Sequence, residues 1–456
     1  MRALSILVLL AFFCACTKFV EIDAPIGKIS SSTVFQDDAT ATSAVLGMYA
    51  RLVVSSPAFS NGAATIYLGT ASDELNYTGT TSDMSGFYTN TLHGGNLIVS
   101  RDFWRYPYET IYQANACIEG LQRSTAVTQS LKPQLLGEAY FIRAFCYYYL
   151  SSLFGDVPLV KTTNFEINAK ALRTKSSEVI ISMIEDLQQA RSMLSKTYPS
   201  SGRLRVNYYT ATALLNRIYL REQNWQLVEQ TANEILSSTV YSLETDLTKT
   251  FLIASSEAFW ELALPDMSTF NTIEASRFIP LATVGVIPAF TLTGSLYNSF
   301  EAGDLRKTYW IGSKTVGGIT YFYPYKYKVR GAAVKTEHCI VFRLPEIYLN
   351  RAEARTHLND LSGALRDLNT IRSRANPAWT PFDSSDISII QAAIQKEKRI
   401  EYFAEWGHRW FDLKRTGQLN EVLTPLKTTW KPTAALFPIP SSEILVNQNL
   451  TQNPGY

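Results

Sequence analysis

Hydrophobic residues recur with helical spacing in two segments that predict a helical hairpin. In "NYYTATALLNRIYLREQN" and "WQLVEQTANEIL" the apolar positions repeat every three or four residues, which places them on one helix face. They are Ala211, Leu214, Leu215, Ile218 and Tyr219 in the first segment and Trp225, Val228, Ala232 and Ile235 in the second. The short "REQN" joint predicts that the two helices fold back on each other.

A second pair of segments repeats this pattern further along the chain. They are "LPEIYLNRAEARTHLND" and "LSGALRDLNTIRSRA", with apolar faces formed by Leu344, Ile347, Tyr348, Ala352, Leu361, Ala364, Leu365, Leu368 and Ile371. Such pairs are similar to tetratricopeptide units, none of which can bury its apolar face alone. Because the two pairs are not in tandem, we expect them to meet in space across the residues between them.

Two long stretches lack this helical period and are predicted to be insertions. A first helix is predicted near residues 37–52, with Asp37 or Asp38 as its N-cap. Residues 55–100 then mix Gly, Ser, Thr, Asn and aromatic residues, which predicts a loop-rich insertion of the kind that often carries function. Residues 241–340 are predicted to form a second irregular insertion with short strands.

The second insertion contains one clear β-hairpin pattern. "TVGGITYFYPYKYKVR" predicts two strands that turn at Gly317 and Gly318. Tyrosines occupy alternate positions from Tyr321 to Tyr327, which predicts a strand with one face made of tyrosine. Pro324 restricts that strand to the edge of a sheet, because proline cannot donate a ladder hydrogen bond.

The N-terminal residues predict an export signal that ends at a lipidated cysteine. An apolar run over residues 4–13 is too short to remain as a transmembrane helix. In "FFCACTKF" the small Ala15 precedes Cys16, so residues 1–15 are predicted to be a lipoprotein signal peptide. A lipidated Cys16 would begin a tether over residues 16–36, held durably by two or three acyl chains. An ordinary secretory signal cut nearby is the alternative.

The amino-acid composition argues against a nucleic-acid-binding protein and against a metal site. The 42 Lys and Arg nearly balance the 40 Asp and Glu, so nothing favours a nucleic-acid groove. The cysteines beyond the leader, Cys117, Cys146 and Cys339, are odd in number and lack metal-ligand spacing, which predicts buried free thiols. The four histidines are scattered, so no metal site is expected. The 25 tyrosines suit surfaces that contact ligands.

The stretch "EWGHRWFDLKR", residues 405–415, has two interpretations. In the catalytic one, Glu401 and Glu405 act as paired carboxylates with His408 assisting. Glycosidases need carboxyl groups on opposite sides of a sugar, whereas residues four apart on a helix lie on the same side. In the favoured structural interpretation, a helix ends near Gly407 and buried charges pair in an ionic clasp. Its predicted members are Arg399, Arg409 and Arg415 with Glu401, Glu405 or Asp412 as their partners.

Taken together and in order, these segments resemble the SusD/RagB family of nutrient-binding lipoproteins of the Bacteroidetes outer membrane. The likeness includes the lipobox, "FVEIDAP", "WRYPYETIYQANACI", "GEAYFIRAFCYYYLSSLFGDVPLV", "RLPEIYLNRAEA", "LNTIRSRAN", "EKRIEYFAEWGHRWFDLKR" and "FPIPSSEILVNQNLTQNPGY". It implies a mostly α fold of four tetratricopeptide-like hairpins, with long irregular and short-β insertions that form a ligand face. The corresponding regions are residues 37–240 and residues 241–456, the latter with its helical part at 341–415.

The resemblance also implies a function. It predicts a lipid-anchored outer-membrane protein, facing the cell exterior, that passes ligand to a TonB-dependent, SusC-like transporter. The usual ligand is an oligosaccharide, and in some members it is a peptide. No enzymatic activity and no cofactor is implied. A tetratricopeptide scaffold without a small ligand and a surface glycosidase are the competing hypotheses.

A sugar site needs aromatic platforms beside planar polar side chains. Both insertions offer such mixtures, and Trp310 is the favoured residue, because it has little apolar company in sequence. The candidate ligand-binding residues are Asp73, Asn76, Tyr77, Phe87, Tyr88 and Asn96 in the first insertion and Tyr297, Tyr309, Trp310, Tyr321 and Tyr323 in the second.

Overall fold

Helices dominate the computed structural model, which describes residues 34–53 and 57–456. The long helices are α1 (Asp38–Val53), α2 (Ala63–Ala71), α3 (Ser82–Thr89), α4 (Tyr106–Arg123), α5 (Lys132–Phe154), α7 (Ser176–Met193), α8 (Tyr208–Arg221), α9 (Trp225–Leu236), α13 (Leu344–His357), α14 (Leu361–Ala375), α15 (Ile387–Tyr402) and α16 (His408–Arg415). The short ones are α6 (Phe165–Asn168), α10 (Ile273–Phe278), α11 (Gly294–Ser299), α12 (Leu305–Tyr309), α17 (Leu419–Leu423) and α18 (Ser441–Val446), with a π-helix at Val99–Arg105 and a 3₁₀ turn at Pro432–Ala435. The predicted leader, Cys16 and most of the tether lie outside the described residues.

Four helical pairs form the frame of the described chain. They are α1 with α4, α5 with α7, α8 with α9, and α13 with α14, and each pair packs against the next. Helix α9 packs directly on α13, so the two hairpins found in the sequence meet in space although the second insertion separates them. The predicted fold, mostly α with four tetratricopeptide-like hairpins, is confirmed.

Polar caps set the starts of these helices. Asp37 Oδ1 accepts a hydrogen bond from Thr40 N at 2.7 Å, as expected for the cap of α1. Asn207 begins α8 with a capping box that involves Thr210. Asp360 caps α14 through Gly363 N at 2.9 Å. These side chains satisfy backbone N–H groups that a helix leaves unpaired at its first turn.

The prediction of a loop-rich insertion over residues 55–100 is wrong in one respect: much of it is helical. Helix α2 is buried at every position from Ala63 to Ala71. A helix with no solvent face shows no amphipathic period, so the pattern that revealed the other helices is missing here. Helix α3 and the π-helix then bring the chain to α4.

The strands form short two-stranded sheets. They are β1 (Leu75–Tyr77) with β5 (Phe290–Leu292), β2 (Val157–Pro158) with β3 (Arg173–Thr174), β4 (Ala258–Leu262) with β8 (Cys339–Arg343), and β6 (Ile311–Val316) with β7 (Ile319–Pro324). The predicted hairpin is β6–β7, and it turns at Gly317 and Gly318, whose φ angles of 58° and 80° favour glycine. Strand β7 ends at Pro324, so the predicted tyrosine face reduces to Tyr321 and Tyr323.

The C-terminal part differs from the prediction at one boundary. Helix α15 ends at Tyr402, before the predicted end near Gly407. Gly407 has φ 74° and directly precedes α16, so it starts a helix instead of ending one. Among the described residues, Cys117, Cys146 and Cys339 are buried free thiols, as predicted.

Candidate functional site

The two insertions meet at the sheet of β1 and β5. Tyr77 pairs with Phe290 in the register of this sheet, and Thr78 N donates to Ala289 O at 3.0 Å. The Thr293 hydroxyl donates to Asp73 O at 2.7 Å and extends the connection beyond the strands. Segments more than two hundred residues apart in sequence are therefore held side by side.

A cleft of about 340 Å³ opens beside this sheet. Its size is in the range of small-ligand sites in proteins. The Tyr77 ring contributes one wall and lies 5.4 Å from the Phe290 ring, centroid to centroid. The residues that line the cleft are Ile66, Tyr67, Tyr77, Thr81, Met84, Ser276, Arg277, Ile279, Pro280, Leu281, Val286, Ile287, Ala289, Phe290 and Arg330. Of the candidate ligand residues, Tyr77 lies in this cleft.

Three polar side chains give the cleft its hydrogen-bonding capacity. The Tyr67 hydroxyl forms no hydrogen bond with the described residues, and burial raises its pKa well above the usual range, with the nearby Asp102 adding to the effect. Arg277 is exposed and forms no hydrogen bond or ion pair with the described chain. Arg330 is anchored by Nη1, which donates to Ile279 O at 2.6 Å. Aromatic faces beside free planar donors are the combination that a sugar requires.

The other accessible candidates lie outside this cleft. Tyr88 is 37% exposed and Tyr309 36% exposed. Asn76 is half-buried and donates to Leu292 O at 3.2 Å, so it stabilises the β1–β5 sheet. Tyr297 stacks on Phe322 at 3.8 Å, centroid to centroid. Tyr321 is half-buried on β7.

The prediction that Trp310 forms a ligand platform is corrected, because its side chain is completely buried. The indole Nε1 donates to Leu247 O at 3.1 Å, and the ring packs edge-on against Phe251 at 5.5 Å. Lys326 Nζ lies 4.9 Å from the ring centroid. The apolar neighbours that the local sequence lacks are residues about sixty positions earlier in the chain.

Four further candidates are also buried, so they are corrected from ligand contacts to structural residues. Phe87 stacks on Tyr67 at 5.1 Å inside the main core. Asn96 Oδ1 accepts from Val99 N at 3.0 Å and precedes the π-helix. Tyr323 lies buried on β7. Asp73 is 3% exposed and belongs to the ionic clasp described next.

The ionic clasp is present, but two of its arginines pair differently from the prediction. Arg415 binds Asp412 at 2.7 Å, as predicted. Arg399 and Arg409 instead bind Asp73, each at 2.7 Å. Asp73 comes from the first insertion, so the clasp joins the start of the described chain to its C-terminal helices. A second carboxylate outside the predicted set, that of Glu353, forms an ion pair with Arg415 at 2.7 Å.

Glu401 and Glu405 pair with cations from the second insertion, from the end of β8 and from α14. Glu401 binds Arg306 at 2.8 Å and also contacts Arg343 and Arg374. Glu405 binds Arg343 at 2.8 Å. Burial alone would favour the neutral acid, but the three guanidinium groups outweigh it and hold the pKa of Glu401 well below its usual range. A carboxylate so paired cannot serve as a proton donor, which favours the structural interpretation of this stretch.

Two family models match the chain. One, described as "SusD family", matches residues 293–456, and another, described as "Starch-binding associating with outer membrane", matches residues 63–220. A SusD-like protein, P25 of Formosa agariphila, is 25% identical, and the alignment covers 98% of each chain. Over these residues the chain is similar to the SusD family.

Solved structures share the fold of this chain. A SusD superfamily protein from Bacteroides vulgatus has a TM-score of 0.82 at 21% identity, over 93% of this chain and 100% of that one. Surface glycan-binding protein A from Bacteroides thetaiotaomicron, in complex with laminarihexaose, has a TM-score of 0.77 at 20% identity, over 91% and 99%. Within residues 34–53 and 57–456, no helix combines the length and apolar character that crossing a membrane requires.

Proposed function

We propose that this protein binds an oligosaccharide in the cleft beside the β1–β5 sheet and passes it to a TonB-dependent transporter of the outer membrane. A lipid on Cys16 would hold the protein at the outer face of that membrane. The observation that carries the proposal is the cleft itself, where the Tyr77 and Phe290 rings lie beside the free donors Tyr67 and Arg277. The similar glycan-binding protein in complex with laminarihexaose supports a sugar as the ligand class.

Calorimetric titration of purified protein with a panel of oligosaccharides and peptides tests the binding step. Tyr77→Ala should weaken the bound sugar by roughly 1–3 kcal/mol, by analogy with loss of a stacking aromatic in nucleic-acid sites. Tyr112→Ala is a matched control, because Tyr112 is 53% exposed and does not line the cleft. Equal affinity in wild type and Tyr77→Ala would place the sugar elsewhere. Binding of peptides alone would replace the oligosaccharide with a peptide ligand.

Uptake into cells tests the transfer step. A strain that lacks this gene should lose accumulation of the bound oligosaccharide in the periplasm, and wild-type protein should restore it. Tyr77→Ala should restore it less well than Tyr112→Ala at equal surface abundance. Full uptake without the protein would contradict its role as the supplier of a transporter.

A further inference from the structure

Cations line the cleft without any carboxylate to balance them. Arg277 and Arg330 are both among the described lining residues, and that set contains no Asp or Glu. Arg277 is exposed and forms no ion pair with the described chain. Arg330 uses Nη1 to hold Ser276 O and Ile279 O, which leaves its Nε and Nη2 without a hydrogen-bond partner among the described residues. The cleft therefore presents guanidinium groups to whatever enters it.

Elsewhere in the described chain, buried arginines are matched by acids. Arg143 binds Asp186 at 2.7 Å, and Arg217 binds Glu346 at 2.6 Å. Near the cleft the acid is Asp102, but it is completely buried and held by Arg101 through hydrogen bonds of 2.6 and 3.0 Å. Its ion pair is with Arg101, and it forms none with Arg277.

A third cation stands at the wall of the cleft. Lys314 Nζ donates to Leu281 O at 2.8 Å and to Thr283 O at 3.0 Å. It thereby fixes the segment that carries the apolar wall residues Leu281, Val286 and Ile287. No carboxylate pairs with Lys314 in the described residues, so its charge adds to the positive potential of the cleft.

We propose that the cleft selects an anionic oligosaccharide, whose carboxylate or sulfate group is bound by Arg277 and Arg330. This inference rests on the proposed glycan-binding function. A guanidinium presents paired N–H donors that match two oxygens of a carboxylate or sulfate, and such charged hydrogen bonds are about twice as strong as neutral ones. Tyr77 would support the sugar ring while the arginines fix the charged substituent.

Titration with matched pairs of oligosaccharides tests this selection. The panel contains uronate oligomers with their methyl esters, sulfated galactan oligomers with their desulfated forms, neutral laminarihexaose, and poly-glutamate. We expect one acidic sugar to bind at least about tenfold more tightly than its neutral counterpart, as loss of a charged hydrogen bond predicts. Its affinity should fall as salt rises. Comparison of the uronate oligomers with the sulfated oligomers shows whether the cleft binds a carboxylate or a sulfate group.

Substitution of Arg277 tests whether the cleft binds the charged group of the sugar. Arg277→Gln should weaken the acidic sugar about tenfold or more, and it should weaken the neutral counterpart by a clearly smaller factor. Arg123→Gln, at a side chain that is 78% exposed and outside the cleft, should change neither. Equal binding of acidic and neutral members, or full affinity in Arg277→Gln, would overturn the inference while sugar binding stands. A panel without a bound sugar, or with poly-glutamate alone bound, would contradict the proposed function itself.

Discussion

Asp73 receives two hydrogen bonds from Arg409, from Nε at 2.7 Å and from Nη2 at 3.0 Å, across 336 positions of the chain. Arg399 binds the same carboxylate at 2.7 Å. Burial opposes ionisation of Asp73, but the two arginines outweigh it and lower its pKa. One charged side chain thus fastens the insertion that carries Tyr77 to the C-terminal helices.

Asp73→Ala should destabilise the fold by about 3–5 kcal/mol, because it leaves two largely buried guanidinium groups without their shared partner. Urea unfolding followed by circular dichroism measures the change in the free energy of unfolding. Glu185→Ala is the control: Glu185 is 61% exposed, and its contact with Lys161 spans 3.5 Å, so the change should stay within about 0.5 kcal/mol. Equal stability of the two variants would mean that water solvates the clasp.

The clasp shows which part of a site the sequence can predict. The density of charge beside Trp406 and Trp410 indicated buried ion pairs, because charges among large apolar residues must be paired. Local spacing supplied the correct partner for Arg415, since Asp412 is three residues away on the same helix. Arg409 pairs with a residue from the opposite end of the chain, and no local pattern encodes that contact.

Glu74, next to Asp73, is a buried acid that arginine does not contact directly. Its Oε2 accepts from Ala404 N at 3.3 Å, and its Oε1 has no hydrogen-bond partner in the described structure. Burial, with the charge of Asp73, raises the pKa of Glu74 from 4.5 to about 8, although Arg409 and Arg399 oppose the shift. The folded state therefore binds a proton that the unfolded state releases above pH 4.5.

The raised pKa of Glu74 predicts the direction in which stability changes with pH. The stability that protonated Glu74 contributes is fully present below pH 4.5 and is lost as pH rises toward 8. Glu74→Gln keeps the shape and removes the titration, so its advantage over wild type should grow by up to about 1.4 kcal/mol per pH unit in that window. Urea unfolding at intervals of one pH unit gives the curve. A curve for Glu74→Gln that runs parallel to wild type would refute the buried-acid assignment.

Trp310→Ala should cost about 3–5 kcal/mol of stability, because the indole is completely buried and truncation leaves a cavity. Sugar affinity of the folded variant should not change, since Trp310 does not line the cleft. Tyr309→Ala, at the adjacent exposed side chain, should cost less than about 1 kcal/mol. Calorimetric melting and titration of both variants measure the two effects. A Trp310→Ala protein that is as stable as wild type but no longer binds the sugar would show that the indole belongs to the binding site.

The cleft shows where sequence reasoning stops. Tyr77 is a predicted ligand residue because an aromatic beside Asn in a polar segment is typical of sugar contacts, and it lines the cleft. Tyr67 lies on α2, a helix without an amphipathic period, so nothing distinguished it from a core residue. Arg277 and Arg330 look like ordinary surface arginines in sequence. They become notable only because folding brings them together without an acid.

Cys16→Ala should release the protein from membranes and leave its fold intact, since a cysteine at the processed N-terminus is the predicted acylation site. Fractionation of cells that express each form measures the fraction bound to membranes. Cys14→Ala is the control, because it alters the same signal segment without removing the predicted acceptor. Palmitate labelling that persists in Cys16→Ala would show that another residue carries the lipid.

Tyr67→Phe removes a single hydroxyl from the cleft and tests whether that hydroxyl contacts the sugar. Because the group has no hydrogen-bond partner in the described protein, its loss should hardly change the melting temperature. If it donates to the ligand, affinity should fall by about 0.5–1.5 kcal/mol. Tyr149→Phe is the control: that hydroxyl is buried without a partner and lies outside the cleft, so sugar affinity should stay unchanged. Equal affinity of both variants would show that Tyr67 forms the floor of the cleft without binding the ligand.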